Sequence, residues 1–488
     1  MAGAVLPLAF APFGFYPIAP LSIALLMGAW LHADPRRAFW RGWLFGIGQF
    51  GVGVSWIYVS IERYGNAALF VAPLVTVVFV AILALYPALV GYLGRRLVAR
   101  NKALFALLGV PALWVLAEWL RGWALTGFPW LDLGYSQIDS PLACLAPLLG
   151  VYGVSAAVAF SGGVLVVLAT GRRRLRVSVL AMGVAVWVGA TLLDGLNWVE
   201  ARGAPLSVSI VQGNIEQARK WEPAEADNIL ESYRKLSETE WGRDLIVWPE
   251  TAVPMFLRDA ADFIAELAVR VEETGTELVF GVPTLGQVPR QYYNSVAVVG
   301  DELGIYRKRH LVPFGEYFPL RSALRWLNFL EVPMADFAPG VANPPPLMVK
   351  GQPAGITICY EIAYSDLVRS NLPAAAFLIT VSNDAWFGDS LAPHQHLQIA
   401  RMRAFETGRY LLRATNTGIS AIIDNRGRVQ GVTPQHKAAV LTGEIKPMAG
   451  TTPFVRWGLT PVLIVMALML AAAVSGDRLS RRSPYPEL

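Results

Sequence analysis

The chain has 488 residues, of which 54% are hydrophobic and only 16% charged, and its mean hydropathy is +0.44. This composition is far more apolar than that of an ordinary soluble protein and predicts a membrane protein. The net charge of +5 requires no nucleic-acid partner, because arginines in loops between apolar stretches account for the basic excess. The two cysteines, Cys144 and Cys359, are too few for a disulfide framework.

Eight apolar stretches are candidates for membrane spans, which need about 20 residues each. Seven lie in the first part of the chain and one near its end. The first two are short and meet at "FAPFGFYPIAP", so a single broken helix is the alternative, and it would reverse every later orientation. The stretches are Ala4–Phe15, Ala19–Leu31, Gly42–Ser60, Ala67–Leu93, Ala103–Leu120, Ala143–Ala169, Val177–Leu193 and Leu459–Val474.

Basic residues follow every second stretch, whereas the alternate connections carry only Arg63 and Arg121. The positive-inside rule therefore predicts eight spans, cytoplasmic basic loops and a cytoplasmic C-terminus. The first stretch lacks the features of a cleaved signal peptide, so we expect it to be retained. The basic residues are Arg36, Arg37, Arg41, Arg95, Arg96, Arg100, Lys102, Arg172, Arg173, Arg174, Arg176, Arg478, Arg481 and Arg482.

The segment from Leu206 to about Lys446 alternates β-rich runs with helical ones, which predicts an external α/β layered domain of ~240 residues. Helical periodicity covers Pro223–Trp241, Ala261–Glu273 and Pro393–Arg409. The predicted strands are "LSVSIVQGNI", "LIVWPET", "ELVFGVPT", "YNSVAVVG", "AGITICYE", "FLITVSNDAW", "ISAIIDNRG" and "AVLTGEI". We expect a seven-helix bundle over 1–196, the external domain over 197–455, an eighth helix over 456–476 and a cytoplasmic tail over 477–488.

Residues suited to catalysis stand at or after the ends of several predicted strands. Glu250 ends "LIVWPE", Lys308 lies in "IYRKRHLVPFGEYFP" with Glu316 eight residues later, and Cys359 follows "AGITI". A cysteine becomes a strong nucleophile when a base takes its proton or a cation stabilises its thiolate. Each residue alone also has a structural explanation: Cys359 as a buried core residue, Glu250 as a loop carboxylate, and Lys308 with Glu316 as an ion pair.

The order Glu, Lys, Cys resembles the nitrilase superfamily, whose catalytic triad lies on a four-layer αββα sandwich. Motifs in both parts of the chain resemble its membrane-embedded branch, the apolipoprotein N-acyltransferase family. They include "FAPFGFYP", "TGFPWLDLGYSQ", "VQGNIEQARKW", "VWPETAVP", "KRHLVPFGEYFP", "ICYEI", "SNDAWFG" and "RMRAFETGRYLLRATNTGIS". The resemblance implies a membrane α-helical bundle of eight helices with a nitrilase-like αββα domain.

By motif, the resemblance makes Glu250 the general base, Lys308 the second triad member and Cys359 the acyl-carrying nucleophile. Glu316, Tyr360 and Glu361 match supporting positions: Glu316 is expected to orient Lys308, and the Tyr360 amide to donate to an oxyanion. Trp221 of "ARKW" matches a tryptophan near the substrate entrance, although an ordinary helix-start anchor explains it equally well.

The implied reaction is a ping-pong acyl transfer in the bacterial inner membrane, with the catalytic domain on the periplasmic side. Cys359 takes an acyl chain from a phospholipid, typically phosphatidylethanolamine, as a thioester. The α-amine of S-diacylglyceryl cysteine at an apolipoprotein N-terminus then accepts it. We expect no cofactor, a monomer, and phospholipid, apolipoprotein and the bilayer as partners.

Two other functions fit parts of the sequence. A membrane-tethered amidase would resolve the thioester with water, and a sensor or transporter would use the domain only to bind a ligand. A zinc site at His394, His396 and Asp384 is disfavoured, because such sites need three or four ligands and "PHQHLQIARMRAFE" is typical of a helix start. A hydrolase triad of Ser382 and His394 lacks the G-x-S-x-G pattern.

Two further features concern the bilayer. Glu118 and Arg121 stand three residues apart at the end of the fifth stretch, either as an i,i+3 pair or as a headgroup contact. The apolar segment Phe318–Phe337 is too irregular to span, and we expect a mobile arm that touches the bilayer.

Overall fold

The computed structural model describes residues 1–64, 70–288, 291–317 and 337–482. The chain forms two compact units. The first holds the described residues of Met1–Tyr58, Ala68–Asn197 and Arg456–Leu488, and the second those of Val59–Ala67 and Trp198–Val455. Apart from Phe337, the predicted arm Phe318–Phe337 lies outside the described residues.

The first unit is helical. Among the described residues, five helices are long and apolar enough to cross a membrane: Val71–Leu97, Lys102–Arg121, Pro141–Thr170, Arg173–Leu193 and Thr460–Ser480. The count rises to six if Pro35–Gly53 and Trp56–Arg63, bent by 56°, form one span. The finer helix bounds are Ala2–Val5, Leu6–Ala9 (3-10), Ile18–Trp30, Pro35–Gly53, Trp56–Tyr64, Val71–Leu83, Leu85–Leu97, Lys102–Leu104, Phe105–Gly109 (π), Val110–Arg121, Ala124–Thr126, Leu133–Gln137 and Pro141–Leu145 (all three 3-10), Ala146–Thr170, Arg173–Leu193, Pro453–Trp457 and Thr460–Arg482.

The predicted count of eight spans is not confirmed. The first stretch, Ala4–Phe15, forms a four-residue helix and a 3-10 turn rather than a spanning helix. Prolines at positions 7 and 12 remove backbone donors there, and Gly14 has a φ of +69°. The second stretch forms the 13-residue helix Ile18–Trp30, about 20 Å long, which is shorter than a bilayer core of about 30 Å.

Glu118 and Arg121 are both buried in this unit, at 4% and 3% exposure. Arg121 pairs with Asp132 at 2.5 Å and donates to the carbonyls of Phe128 and Trp130. Glu118 accepts hydrogen bonds from the Trp114 indole at 2.9 Å and the Leu133 amide at 2.8 Å. These contacts tie a helix to the loop "FPWLDL" and hold both charges inside the helical unit. Neither alternative drawn from the sequence, an i,i+3 pair or a headgroup contact, included this loop.

The described residues of the second unit form two six-stranded sheets and a two-stranded ribbon. The first sheet has the order β13-β2-β3-β4-β5-β6, the second β12-β11-β10-β9-β8-β7, and the ribbon pairs β1 with β14. The strands are β1 Val199–Ala201, β2 Leu206–Gln212, β3 Leu245–Val247, β4 Glu277–Leu285, β5 Tyr292–Val299, β6 Gly304–Arg307, β7 Leu347–Val349, β8 Gln352–Ile358, β9 Phe377–Ser382, β10 Leu411–Thr415, β11 Ala421–Ile423, β12 Val429–Val432, β13 Ala439–Ile445 and β14 Met448–Gly450.

Side-chain alternation along the strands builds the layers. In β3, Leu245 and Val247 join a core shared with β8, β9 and β10, whereas Ile246 packs with helices on the opposite face. Helices Ala226–Ser237 and Ala261–Thr274 cover that outer face of the first sheet. Helix Ala392–Thr407 contacts β10 and β11 of the second sheet. The result is the predicted αββα order of layers.

Each of the eight predicted strand segments contains an observed strand, and the three predicted helices are present within a few residues of their expected ends. The prediction missed β1, β6, β7, β10, β12 and β14. Five of these are strands of three or four residues at sheet edges or in the ribbon. β10 is central, but it follows a helix after only three residues, and its fully buried Arg413 breaks the apolar pattern.

The remaining helical elements among the described residues of the second unit are short. They are the 3-10 turns Arg219–Trp221, Pro223–Glu225, Cys359–Ala363 and Asp384–Phe387, and helix Ser365–Arg369.

Candidate active site

Cys359 begins a sharp turn directly after β8. The 3-10 turn Cys359–Ala363 follows the strand, and the φ of Cys359 is +52°. A non-glycine residue in this region carries about 1–3 kcal/mol of strain and persists only where its surroundings hold it. A tight strand-to-helix turn is also how α/β hydrolases present their nucleophile. The strand end was predicted from the sequence, but the left-handed backbone was not.

Lys308 lies between two carboxylates. Its Nζ donates to Glu316 Oε1 at 2.8 Å and lies 3.7 Å from Glu250 Oε1. The side-chain amide of Asn294, through Nδ2, donates to the same two acids, at 2.7 Å to Glu250 Oε1 and 3.0 Å to Glu316 Oε1. The backbone amide of Asn383 donates to Glu250 Oε2 at 2.7 Å. Three of the predicted site residues, Glu250, Lys308 and Glu316, are thus brought to one place, and the charges of Glu250 and Lys308 act on Cys359.

The Lys308 side chain is 1% exposed. Burial on its own would lower the Lys308 pKa, but the negative charges of Glu316 and Glu250 outweigh it and raise the pKa well above the usual value. Lys308 is therefore an ammonium ion throughout the physiological range. A fixed cation of this kind can stabilise a thiolate or an oxyanion.

The thiol of Cys359 is protonated at rest. Burial and the negative charge of Glu250 raise its pKa to about 12, although Lys308 and a hydrogen bond with Ser382 act in the opposite direction. Such a thiol needs a base that removes its proton as it attacks. Glu250 is a carboxylate whose charge acts on this thiol.

Glu361 ties the turn of Cys359 to the loop of Lys308. The Glu361 side chain is fully buried and accepts four hydrogen bonds, three of them from backbone amides. Its donors are the amides of Ile358 (2.8 Å), Arg309 (2.6 Å) and His310 (3.0 Å) and the hydroxyl of Tyr306 (2.8 Å). Ile358 adjoins Cys359 in the chain, and Arg309 adjoins Lys308. By binding both, the Glu361 carboxylate sets the distance between the Cys359 turn and the Lys308 loop.

Tyr360 is the second residue of the Cys359 turn, so its backbone amide adjoins the nucleophile, and its role as an oxyanion donor stays a prediction. Trp221 ends the 3-10 turn Arg219–Trp221 with 38% of its side chain exposed. An exposed tryptophan on this turn is compatible with a wall of an acyl groove.

Sequence reasoning missed Lys220, Asn294 and Asn383. Lys220 is 2% exposed, and its Nζ donates to the backbone carbonyl of Glu250 at 2.8 Å. Burial lowers the Lys220 pKa to about 8, against the opposing charge of Glu250. A lysine in the polar run "EQARKW" looks solvated from sequence alone. The asparagine inside the apolar strand "NSVAVV" was a usable signal, because buried polar groups need partners.

Comparisons with known proteins identify the class of enzyme to which the chain belongs. Residues 207–454 match the family model "Carbon-nitrogen hydrolase", and residues 2–164 match "Apolipoprotein N-acyltransferase N-terminal domain". The second unit is thus a carbon–nitrogen hydrolase domain. Among solved structures, a mutant of the amidase from Nesterenkonia sp. AN1 is similar to this chain, with 18% sequence identity and a TM-score of 0.40. The similarity covers 55% of this chain and 98% of the amidase chain.

The full-length relatives narrow the class. The apolipoprotein N-acyltransferase of Methylococcus capsulatus is 45% identical over 98% of this chain and 95% of its own, and that of Coxiella burnetii is 43% identical over 96% and 98%. The chain belongs to the apolipoprotein N-acyltransferase family. It is an acyltransferase of the nitrilase superfamily that acts in lipoprotein maturation.

Proposed function

We propose that the chain transfers a fatty acyl group from a membrane phospholipid to the α-amine of an S-diacylglyceryl cysteine, through a thioester on Cys359. The observation that carries this proposal is the ion-paired set of Glu250, Lys308 and Glu316, in which the charges of Glu250 and Lys308 act on a protonated thiol. Such a set activates a nucleophile without solvent. Glu250, Lys308 and Cys359 are the catalytic residues in this proposal.

In the first half-reaction, Cys359 Sγ attacks the ester carbonyl carbon while Glu250 takes the thiol proton. Lys308 Nζ and the Tyr360 amide stabilise the negative oxygen of the tetrahedral intermediate. The C–O bond then breaks, and Glu250 returns the proton to the departing glycerol oxygen. The products are a thioester and a lysophospholipid.

In the second half-reaction, the acceptor amine attacks the thioester carbon. Glu250 removes one proton from the nitrogen, the C–S bond breaks, and that proton goes to the Cys359 sulfur. An amide is formed and the resting thiol is restored. Glu316 acts on this chemistry by holding Lys308, and Glu361 by holding the two loops together.

The membrane setting is also part of the proposal. We propose eight crossings, the first made by the broken segment Ala4–Phe15, whose irregular backbone packs against neighbouring helices, with the basic loops and the C-terminus in the cytoplasm. The catalytic domain (197–455) then lies on the periplasmic side of the bacterial inner membrane. The five long apolar helices, the bent pair and the short helix Ile18–Trp30 support a multi-pass chain. The same proposal includes a monomeric protein and Trp221 as a substrate contact. It also includes the domain bounds 1–196, 456–476 and 477–488.

The test is a two-stage assay on the purified full chain in detergent. Labelled phosphatidylethanolamine is added alone, and Cys359 is examined by intact mass for an acyl adduct that hydroxylamine removes. A diacylglyceryl peptide is then added, and the N-acylated product is measured. We expect the adduct to appear and then to disappear as product forms.

Cys359→Ser should form neither thioester nor product, whereas Cys144→Ser should behave as the wild type. Release of free fatty acid without N-acyl peptide would instead identify an amidase that uses water. Full cellular function of the Cys359→Ser variant would identify a binding protein and refute catalysis altogether.

A further inference from the structure

A buried charged cluster lies behind Cys359. Asp384 follows β9, His396 lies in helix Ala392–Thr407, and Arg413 lies in β10; each is at most 1% exposed. Arg413 Nη2 donates to Asp384 Oδ2 at 2.6 Å and lies 3.1 Å from His396 Nδ1. Ser382 Oγ donates to Asp384 Oδ1 at 2.7 Å, and that oxygen lies 3.2 Å from His396 Nδ1.

These contacts assign the protonation state of His396. A carbonyl oxygen can only accept, so Nε2, the ring nitrogen that faces the Cys359 carbonyl, carries a proton. Nδ1 faces the Arg413 guanidinium, which has donors only, and a neutral ring accepts from it there. Burial and the charge of Arg413 lower the His396 pKa, which keeps the imidazole neutral. Nε2 lies 3.2 Å from the backbone carbonyl oxygen of Cys359, so its N–H donates to that carbonyl.

The contacted carbonyl shares a peptide unit with the proposed oxyanion donor. In a planar trans peptide, the carbonyl of Cys359 and the N–H of Tyr360 point in opposite directions. Fixing the carbonyl from behind therefore fixes the direction in which the Tyr360 N–H points. The left-handed φ of Cys359, +52°, makes such an anchor necessary, because a strained residue relaxes unless its surroundings hold it.

We propose that His396, oriented by Arg413, which Asp384 holds in turn, is a positioning residue that aims the Tyr360 amide at the oxyanion formed in each acyl step. This inference rests on the proposed function, because it needs an oxyanion at that place. It gives the motifs "SNDAWFG" and "PHQH" a shared role, because they supply the carboxylate and the imidazole that hold the nucleophile's peptide.

Two reactions of the Cys359 sulfur distinguish a positioning role of His396 from a role in holding the fold. Acylation by phospholipid passes through an oxyanion, whereas alkylation by iodoacetamide displaces iodide at a saturated carbon and forms none. Both rates are measured by mass spectrometry of the Cys359 peptide in the full-length protein. His396→Leu removes the donor, His396→Gln keeps an N–H donor toward the Cys359 carbonyl, and His394→Leu is the control on the same helix, where His394 is half-buried.

We expect His396→Leu to slow acylation by about 10²-fold, as for loss of one oxyanion donor, with the alkylation rate unchanged. His396→Gln should recover most of the acylation rate, and His394→Leu should match the wild type in both reactions. Wild-type acylation by His396→Leu would overturn the inference. A parallel loss of acylation and alkylation in both His396 variants would also overturn it and assign His396 to the fold. A wild-type protein that phospholipid does not acylate would refute the proposed function itself.

Discussion

Replacing Lys308 by methionine removes one charge from the site while keeping nearly the same side-chain length. In the wild type, the ammonium lies 2.8 Å from Glu316 and 3.7 Å from Glu250, and all three groups are largely buried. Lys308→Met leaves two carboxylates that share the Asn294 amide without a cation. The two carboxylates then repel each other in a site where little solvent screens their charges.

The size of the effect follows from two separate losses. Breaking a buried ion pair by removing one partner costs about 3–5 kcal/mol of folding stability. Losing the cation at the oxyanion and thiolate should slow acylation by at least about 10³-fold, which corresponds to about 4 kcal/mol in the barrier. The double variant Lys308→Met/Glu316→Gln removes the unpaired acid as well. It should regain most of the stability but none of the acylation rate.

The assay measures melting temperature by differential scanning fluorimetry in detergent, and the rate of Cys359 acylation by labelled phosphatidylethanolamine. Lys437→Met is the matched control, because Lys437 is exposed and the same chemical change there should alter neither quantity. Acylation at the wild-type rate by Lys308→Met would refute the catalytic role. Recovery of both stability and acylation in the double variant would show that Lys308 acts only by neutralising Glu316.

Two further predictions concern groups that adjoin the triad. Lys220 has a pKa of about 8 in the folded protein, against an ordinary value of 10.5. Between these two pH values the folded protein therefore binds fewer protons than the unfolded chain. The free energy of unfolding rises with pH across this range, by roughly 3 kcal/mol. The melting temperature of the wild type should rise relative to Lys220→Met from pH 8 to 10, and parallel profiles would refute this. Glu361→Gln places an NH₂ group against two of four donors, so it should cost about 2–6 kcal/mol and lower both melting temperature and acylation rate. An unchanged melting temperature would show that the carboxylate does not hold the two loops.

The order of layers could be predicted because β-rich runs and helical periodicity alternate cleanly through the second unit. The spans were harder, since hydropathy measures how apolar a stretch is and not whether it stays helical. Ala4–Phe15 is apolar but contains prolines and a glycine that end a helix, and Gly42–Ser60 spans a bend of 56°. The short strand β10 was hidden by Arg413, whose partners Asp384 and His396 come from other elements.

The positions of Glu250, Lys308 and Cys359 at strand ends could also be inferred from the sequence, because their motifs are specific. Their supporting contacts could not. Glu361 lies two residues from the nucleophile and looks like a base, yet its four donors make it a structural tie. Lys220 stands in a polar run, and only the folded chain shows that its ammonium is buried against the Glu250 backbone.

The charges around Cys359 explain how a buried thiol with a pKa of about 12 can react at neutral pH. The ionised acids Glu250 and Glu316 are balanced by the ammonium groups of Lys308 and Lys220. In the proposed reaction the thiol proton moves to Glu250, so negative charge passes from carboxylate to sulfur and the total charge of the site does not change. The transfer therefore needs little rearrangement of solvent, and Lys308 attracts the negative charge both before and after it. At rest the sulfur stays a thiol, which resists oxidation better than a thiolate would. High resting pKa and catalytic competence are thus compatible, because the base and the cation are already in place when the acyl donor arrives.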